Sequence, residues 1–295
     1  MRQVLLDNAF EAWAAAIRFC KDIKDGKCTL QYQKNFVSSL HNAVELFMKQ
    51  MMINDGNHDV AEVRGKLKKG NEQLIQDYTN ASDLNHFFRV LPKEETAKFA
   101  SITFEKLKKH HQKIIKDSLA PNESLEDELN LLQQLRNDET HFAIHQGSFL
   151  SEVDFCVLHN FMVRFYKVLE NWRPLSKDDH ELWLLPYWGD PIGADEVYGF
   201  VCSPLQSFSY EKAVRESSLA HEIVELISNG GIYGAPDFSP YTIARDLVEE
   251  KAEYKYRFDE VWALVLMMQK YGIIKTDDIL DDEQGKVYFV MNASL

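Results

Sequence analysis

Arg136, Asn137 and His141 are the residues of this sequence whose types and spacing best suit chemistry on a phosphate. A guanidinium binds phosphate through two parallel hydrogen bonds and stays charged throughout a reaction. An imidazole can accept and donate protons near neutral pH. Asn137 and His141 are four residues apart, so on a helix they share one face, where the amide could hold one tautomer of the ring. Residues 135–142 therefore predict a phosphate-handling site, against the plainer interpretation of a solvated helical turn.

Three arrangements of the site could bring Arg136 close to a histidine. The helical period turns Arg136 about 140° away from His141. The long arginine side chain could swing over, or the helix could start or bend at this point. Alternatively, two copies of the segment could face each other across a two-fold axis, so that the arginine of one chain serves the histidine of the other.

The reaction that needs this set of groups is cleavage of RNA by its own 2′-OH. A base removes the 2′-OH proton, a cation stabilises the phosphorane, and an acid protonates the leaving 5′-oxygen. No metal or protein nucleophile is required. The products are a 2′,3′-cyclic phosphate and a 5′-OH.

An arginine, a polar residue, three further residues and a histidine, late in a helical domain, resemble the signature motif of the HEPN superfamily. Here the motif reads Arg136-Asn137-Asp138-Glu139-Thr140-His141. The segment 40–54 is similar to the second helix of HEPN domains, which carries a Glu-x-x-x-Lys pattern, here Glu45 and Lys49. The resemblance covers about residues 1–172.

This resemblance implies a compact helical bundle, usually a homodimer with the motif at its interface. Many HEPN proteins are metal-independent endoribonucleases that act as toxins or antiviral effectors, whereas others lack the motif and only bind. By the resemblance, Arg136 binds the scissile phosphate, His141 is the general acid and base, and Asn137 orients it. Supporting roles are expected for Glu45, Lys49 and Asp138, although Glu45 and Lys49 could equally be a surface ion pair.

A metal site is the main chemical alternative. Asp138, His141 and His145 could lie on one helical face, but the glutamate of an HExxH site is absent from "HFAIH". No nearby cysteine or histidine completes a zinc set. The sequence also lacks a P-loop, a GxSxG elbow and a GxGxxG loop. We therefore expect no metal and no cofactor.

The distribution of charge restricts where RNA could bind. The whole chain has a net charge of −13, but residues 64–116 contain twelve Lys/Arg against six Asp/Glu. The lysines expected to contact RNA are Lys66, Lys68, Lys69, Lys108, Lys109 and Lys113. A solvated helix face would explain the same charges equally well, because a run of charged residues does not distinguish an RNA-binding surface from a solvated one. His110 and His111, in the same stretch, are expected to be solvated.

Apolar residues recur every three and four positions over most of the first 170 residues, which predicts helices. Four of the expected helices cover residues 10–20, 36–51, 93–116 and 150–172, and another runs from about residue 124 into the motif at 135–142. Gly26 is expected to end the first of them and the turn at 54–57 the second. A change of composition at Trp172 then predicts an ordered connector rich in Trp and Pro.

The C-terminal part predicts three helices, at 216–228, 240–250 and 259–271, and then a two-stranded hairpin with an acidic turn at 277–283. This order weakly resembles a winged helix-turn-helix. Residues 210–295, however, contain sixteen Asp/Glu and nine Lys/Arg, and a DNA reader needs cations at the phosphates. DNA is therefore an unlikely ligand. A protein partner, such as an antitoxin or a defence-complex subunit, or an intramolecular role is expected instead.

The sequence thus predicts a mainly α protein in three parts. These are an HEPN-like helical bundle (1–172), a connector (173–204) and a small winged-helix-like α+β unit (205–295). No signal peptide or membrane segment is expected, and the spacing of the four cysteines suits a reduced, cytoplasmic protein. Two alternatives to a ribonuclease stay open, a non-catalytic helical interaction module and, less favoured, a winged-helix transcriptional regulator.

Overall fold

Most of the described residues of this protein are helical in the computed structural model. The described residues are 3–115, 124–140, 150–172, 208–228, 240–251, 254, 257–281 and 286–293. The prediction of a mainly α protein is confirmed. The predicted connector lies outside the described residues.

Long amphipathic helices dominate the first 172 residues. The α-helices are α1 (Leu6–Lys24), α2 (Leu30–Asn54), α3 (Glu72–Thr79), α4 (Leu84–Val90), α5 (Lys93–Thr96), α6 (Phe104–Ile114), α7 (Glu126–Thr140) and α8 (Glu152–Trp172). Single 3₁₀ turns span His58–Val60 and Gly65–Leu67. The helices expected from periodicity at α1, α2, α7 and α8 are confirmed.

The expected single helix over residues 93–116 is wrong, because a strand interrupts it. The strand β2 (Phe99–Ser101) pairs antiparallel with β1 (Ala61–Val63), with Val63 opposite Phe99. The pairing is extended by a hydrogen bond from the Ile102 amide to the Val60 carbonyl (2.8 Å). Phe99 also packs edge-on against the buried Tyr78, at 5.1 Å between ring centroids. These tertiary contacts outweigh the helical preference of the local sequence.

The C-terminal part contains α9 (Tyr210–Glu216), α10 (Ser218–Ser228), α11 (Pro240–Glu250), α12 (Phe258–Lys270), β3 (Ile274–Asp281) and β4 (Lys286–Ala293). The predicted helix at 216–228 instead begins at Ser218, because Ser217 is extended (φ −67°, ψ 127°) and separates it from α9.

The predicted hairpin is confirmed, but its acidic segment was misassigned to a turn. β3 and β4 are antiparallel, with Asp277 opposite Val290 and Asp278 opposite Phe289. Aspartate is depleted in strands. Backbone pairing along the eight-residue β4 overrides that preference, so the aspartates up to Asp281 belong to the strand.

The chain divides into two compact units. Unit 1 comprises Met1–Ile17, Val37–Arg136 and Val157–Ser203, and unit 2 comprises Arg18–Phe36, Asn137–Cys156 and Pro204–Leu295. Four helices, α1, α2, α7 and α8, contribute residues to both.

Aromatic side chains form the centre of unit 1. Trp13 of α1 is fully buried and contacts Phe47 of α2 and Phe165 of α8, with ring centroids 6.3 and 5.9 Å apart. Phe10 packs edge-on against the same Phe47 at 5.3 Å. The apolar faces of α1, α2 and α8 therefore share one core.

A separate aromatic cluster lies in unit 2. Phe155 contacts Phe36 at 5.5 Å and Phe208 at 4.7 Å between ring centroids. Phe208 in turn packs edge-on against Tyr210 (4.9 Å), which is buried at the start of α9. Burial raises the pKa of the nearby Cys28 thiol to about 12, so Cys28 stays protonated at neutral pH.

The turn after α1 brings Gly26 against α9. Gly26 has φ +94°, and a Cβ at this position would lie 2.5 Å from the carbonyl oxygen of Ala213. Gly56 offers a matched control, since its φ is +64° but a Cβ there would meet nothing within 4 Å. Both glycines adopt the left-handed region, and of the two only Gly26 also makes a close backbone approach.

Gly26→Ala is expected to lower the free energy of unfolding by at least about 3 kcal/mol, since it adds a steric clash to left-handed strain. Gly56→Ala should lower the free energy of unfolding by the left-handed strain alone, about 1–2 kcal/mol. Urea unfolding followed by circular dichroism measures both values. Equal losses in the two variants would show that the contact with Ala213 is unimportant.

No helix among the described residues has a stretch both long and apolar enough to cross a membrane, and this includes the 25-residue α2.

Candidate functional site

The motif that the sequence singles out lies at the C-terminal end of α7. Arg136 is partly buried and Asn137 is exposed, at consecutive positions of this helix. Asp138 is on the same helix, but the structure does not describe its side chain. His141 lies entirely outside the described residues. The structure therefore places the first two motif residues on a helix, as predicted, and the geometry between Arg136 and His141 stays a prediction.

The start of α7 is held by side chains from two other helices. Arg164 of α8 donates to the carboxylate of Glu128 and to the backbone carbonyl of Ser124 (2.7 Å). The hydroxyl of Ser124 accepts from the Glu126 amide (3.1 Å), as expected for a helix-capping residue. Glu128 thus has Arg164 as an ion-pair partner.

His111 forms the second anchor of α7, and the expectation that it is solvated is wrong. The ring is 3% exposed, because His111 follows Phe104 and Leu107 on the apolar face of α6. Its Nε2 accepts from the Leu125 amide (3.3 Å), and its Nδ1 lies 2.7 Å from the Lys108 carbonyl. These two bonds assign the proton to Nδ1. His111 is thus a structural residue, whereas His110 is exposed as expected.

Glu45 and Lys49 of α2 are brought together, but not as a surface pair. The side chain of Lys49 is only 9% exposed, and its ammonium donates to Glu45 and to the Ser101 hydroxyl (2.9 Å). His41 lies 3.7 Å from the other oxygen of Glu45 and stacks on Phe104, at 4.1 Å between ring centroids. The surface interpretation of Lys49 is therefore wrong, because this polar chain ties α2 to β2 and α6.

The lysines expected to contact RNA differ in their surroundings. Lys108 and Lys109 both pair with Glu105, at 3.0 and 3.1 Å, and their hydrogen bonds lower the pKa of that carboxyl to about 2. Lys68 pairs with Glu62 at 3.4 Å. Lys69 is exposed, and the side chain of Lys66 is outside the described residues. Lys113 lines a cavity.

That cavity is a cleft of about 560 Å³ in unit 1, between the β1–β2 ribbon and α6. Its polar lining comprises two carboxylates, two hydroxyls, two lysines, two histidines and an amide, namely Asp59, Glu62, Ser101, Thr103, Lys106, Lys113, His58, His110 and Asn57. The sequence reasoning missed Lys106, although it lies seven residues before Lys113 and thus on the same helical face. No local sequence pattern marks Ser101, Asp59 and Glu62 as cleft residues, because only the β1–β2 pairing brings them close to α6.

The structure defines the class of this protein as mainly helical, with two small antiparallel ribbons in the part of the chain that it describes. No family model, curated protein or solved structure matches the chain. Among the described residues, no group of three or more His, Cys, Asp or Glu side chains is placed to hold a metal ion. The case for function therefore depends on the chain's own residues.

Proposed function

We propose that this protein is a metal-independent endoribonuclease with an HEPN-like helical domain. The observation that carries the proposal is the pair Arg136–Asn137 near the end of α7, with His141 five residues after Arg136 in the sequence. Arg136 would bind the scissile phosphate, and His141 would move the protons. Asn137 would orient the imidazole.

The anchoring of α7 supports this proposal. A catalytic arginine must be held within a fraction of an ångström of its productive position, which requires a rigid element beneath it. The first turn of α7 is bonded to His111 and Arg164, and its buried leucines Leu129, Leu132 and Leu135 secure the rest of the helix. Arg136 directly follows the last of these leucines, so its backbone has little freedom.

The proposed reaction balances without an external reagent. The 2′-oxygen of the ribose attacks the phosphorus as His141 accepts its proton, and the bond from phosphorus to the 5′-oxygen breaks. The leaving 5′-oxygen takes a proton from a second imidazole or from the same one. Arg136 stabilises the extra negative charge of the phosphorane, which is the largest electrostatic demand of the reaction.

The purified protein in EDTA is expected to cleave single-stranded RNA and to leave 2′,3′-cyclic phosphate and 5′-OH ends. Polynucleotide kinase should label the new 5′ ends without phosphatase treatment. An RNA with 2′-deoxyribose at the cleaved position is the matched control and should stay intact. Products with 5′-phosphate ends, or cleavage that needs Mg²⁺, would contradict the proposed chemistry.

We further propose that the active form is a homodimer, since the helical period turns Arg136 away from His141 of its own chain. In a cell the protein would act as a toxin or antiviral-defence effector on an RNA substrate in the cytoplasm. Its acidic C-terminal part would dock an antitoxin or another defence subunit.

A non-catalytic interaction module is the second candidate, and one observation in unit 2 favours it. Tyr241 of α11 and Trp262 of α12 are 53% and 38% exposed, and their rings lie 6.0 Å apart at their centroids. Exposed aromatic pairs of this kind are frequent anchors at protein interfaces. A protein of this class would cleave no RNA, with EDTA or with Mg²⁺, so the same assay separates the two candidates.

A winged-helix transcriptional regulator is the least favoured candidate. The acidic residues Asp277, Asp278 and Asp281 lie on β3, one of the two strands that would form the wing. Such a wing would repel DNA phosphates. Salt-sensitive binding of duplex DNA by the whole chain would revive this candidate.

A further inference from the structure

We propose that the cleft between the β1–β2 ribbon and α6 binds one nucleoside monophosphate unit, either as a free nucleotide or as the terminal nucleotide of an RNA. None of the described residues lining the cleft belongs to α7. The proposal therefore stands independently of the ribonuclease proposal. It rests on two walls of different charge, one on α6 and one beside the β1–β2 ribbon, and on a serine hydroxyl that lines the same cleft.

The first wall is cationic and belongs to one helix. Lys106, His110 and Lys113 are spaced by four and three residues on α6, so they share one face of it. All three are exposed and line the cleft. Two ammonium groups and an imidazole, all hydrogen-bond donors in their charged forms, suit a phosphate dianion.

The neighbouring lysines of α6 make other contacts, so only a particular subset of the lysines of this helix lines the cleft. Lys108 and Lys109 each form an ion pair with Glu105, and none of these three residues lines the cleft. The helix thus has one set of lysines tied to its own carboxylate and another set that faces the cavity.

The second wall carries Asp59 and Glu62. Asp59 lies on the 3₁₀ turn His58–Val60, and its amide donates to the side-chain oxygen of Asn57 (3.0 Å). The hydroxyl of the buried Tyr78 donates to the His58 carbonyl (2.6 Å), which holds this turn in place. Carboxylates accept hydrogen bonds from ribose hydroxyls and from the amino groups of bases.

Ser101 supplies a further hydrogen-bond donor in the cleft. Its oxygen already accepts from the buried ammonium of Lys49 (2.9 Å), and its side chain lines the cleft. The Ser101 O–H is therefore left to donate to a ligand oxygen. Because Lys49 donates to both Glu45 and Ser101, it acts here as an ammonium donor, not as a base that would make Ser101 a nucleophile.

The balance of charge argues for a single nucleotide over a long polyanion or inorganic phosphate. The two carboxylates offset the two lysines, so a strand of phosphates crossing the cleft would meet repulsion on one side. Inorganic phosphate would leave Asp59 without a ligand group to bind, and Glu62 with only its ion pair to the exposed Lys68. A nucleotide has a dianion at one end and hydroxyl and amino donors at the other, and about 560 Å³ is within the usual range of small-molecule sites.

The test is calorimetric titration of the whole protein with AMP, GMP, CMP and UMP separately, and with adenosine and inorganic phosphate. At least one monophosphate should bind about tenfold or more tightly than its nucleoside and than phosphate, since both walls are used at once. A short RNA with a 5′-phosphate, compared with the same RNA with a 5′-OH, distinguishes a free nucleotide from a strand terminus as the source of the ligand.

Two variants make the assignment specific. Lys106→Gln combined with Lys113→Gln should weaken monophosphate binding about tenfold or more, because two charge-assisted hydrogen bonds are lost. Lys93→Gln, which replaces an exposed lysine of α5 outside the cleft, is the matched control and should bind as the wild type does. Glu62→Gln should lower the preference for a ribonucleotide over its 2′-deoxy analogue.

Circular dichroism melting of each variant checks that these exposed substitutions leave the fold unchanged. Three results would each overturn the proposal. They are the absence of binding by all four monophosphates at millimolar concentration, equal binding of inorganic phosphate, and equal losses in the double variant and in Lys93→Gln.

Discussion

Replacing His141 by alanine is expected to slow RNA cleavage by about a thousandfold, within the range that a general acid–base residue contributes. The loss should appear in the single-turnover rate on a labelled RNA in EDTA, and saturating RNA should not restore it. His86→Ala, which removes an exposed histidine of α4, is the matched control and should cleave at the wild-type rate. Unchanged cleavage by His141→Ala would remove the basis of the ribonuclease proposal.

The same experiment on Arg136 tests its role as a phosphate ligand. Arg136→Ala should lose cleavage to a similar extent, whereas Arg136→Lys should recover part of it, because lysine keeps the charge but lacks the planar two-point geometry. Arg89→Ala, another exposed position on α4, serves as the control. Equal activity of the lysine and alanine variants would show that the charge of Arg136 has no catalytic role.

Mixing the two inactive variants distinguishes the possible arrangements of the site. If the arginine of one chain serves the histidine of the other, a heterodimer of Arg136→Ala and His141→Ala keeps one intact site. Random pairing of equal amounts would then restore about a quarter of the wild-type activity, because half of the dimers are mixed and each has one working site. If both residues act within one chain, every site in the mixture stays defective.

Trp13→Ala has the largest expected effect on stability, a loss of about 3–5 kcal/mol, because it leaves a cavity among Phe47 and Phe165. Trp262→Ala is the matched control. That tryptophan is 38% exposed, so its replacement should lower the free energy of unfolding far less. Urea unfolding followed by far-ultraviolet circular dichroism gives both values. Similar losses in the two variants would contradict the central position assigned to Trp13.

The long helices could be predicted from the sequence because their apolar spacing is regular over several turns. Trp13, Phe47 and Phe165 each belong to such a stripe, and all three are buried. The same reasoning failed at residues 93–116, because spacing cannot show that Phe99 is needed opposite Val63, 36 positions earlier in the chain. A strand of three residues leaves too short a pattern to outweigh the flanking helical signal.

The polar residues also divide into those whose positions follow from one helix and those whose positions depend on tertiary contacts. The position of Arg136 and Asn137 on one helix was predicted from local spacing, whereas their role in phosphate chemistry stays a prediction. The buried contact between Lys49 and Ser101 was not foreseen, because it depends on where β2 passes α2. His111 could have been placed correctly, as it follows Leu107 by four residues on the apolar face of α6. Its polar character was given too much weight.

The anchoring of α7 also has a consequence for how this chain could vary in evolution. Its first turn is fixed by Arg164 and His111, which act through side chains and not through the length of the preceding segment. One residue lost between Ser124 and Arg136 would rotate the guanidinium by about 100° around the helix axis. Length variation among natural variants should therefore be absent from the thirteen residues that end at Arg136.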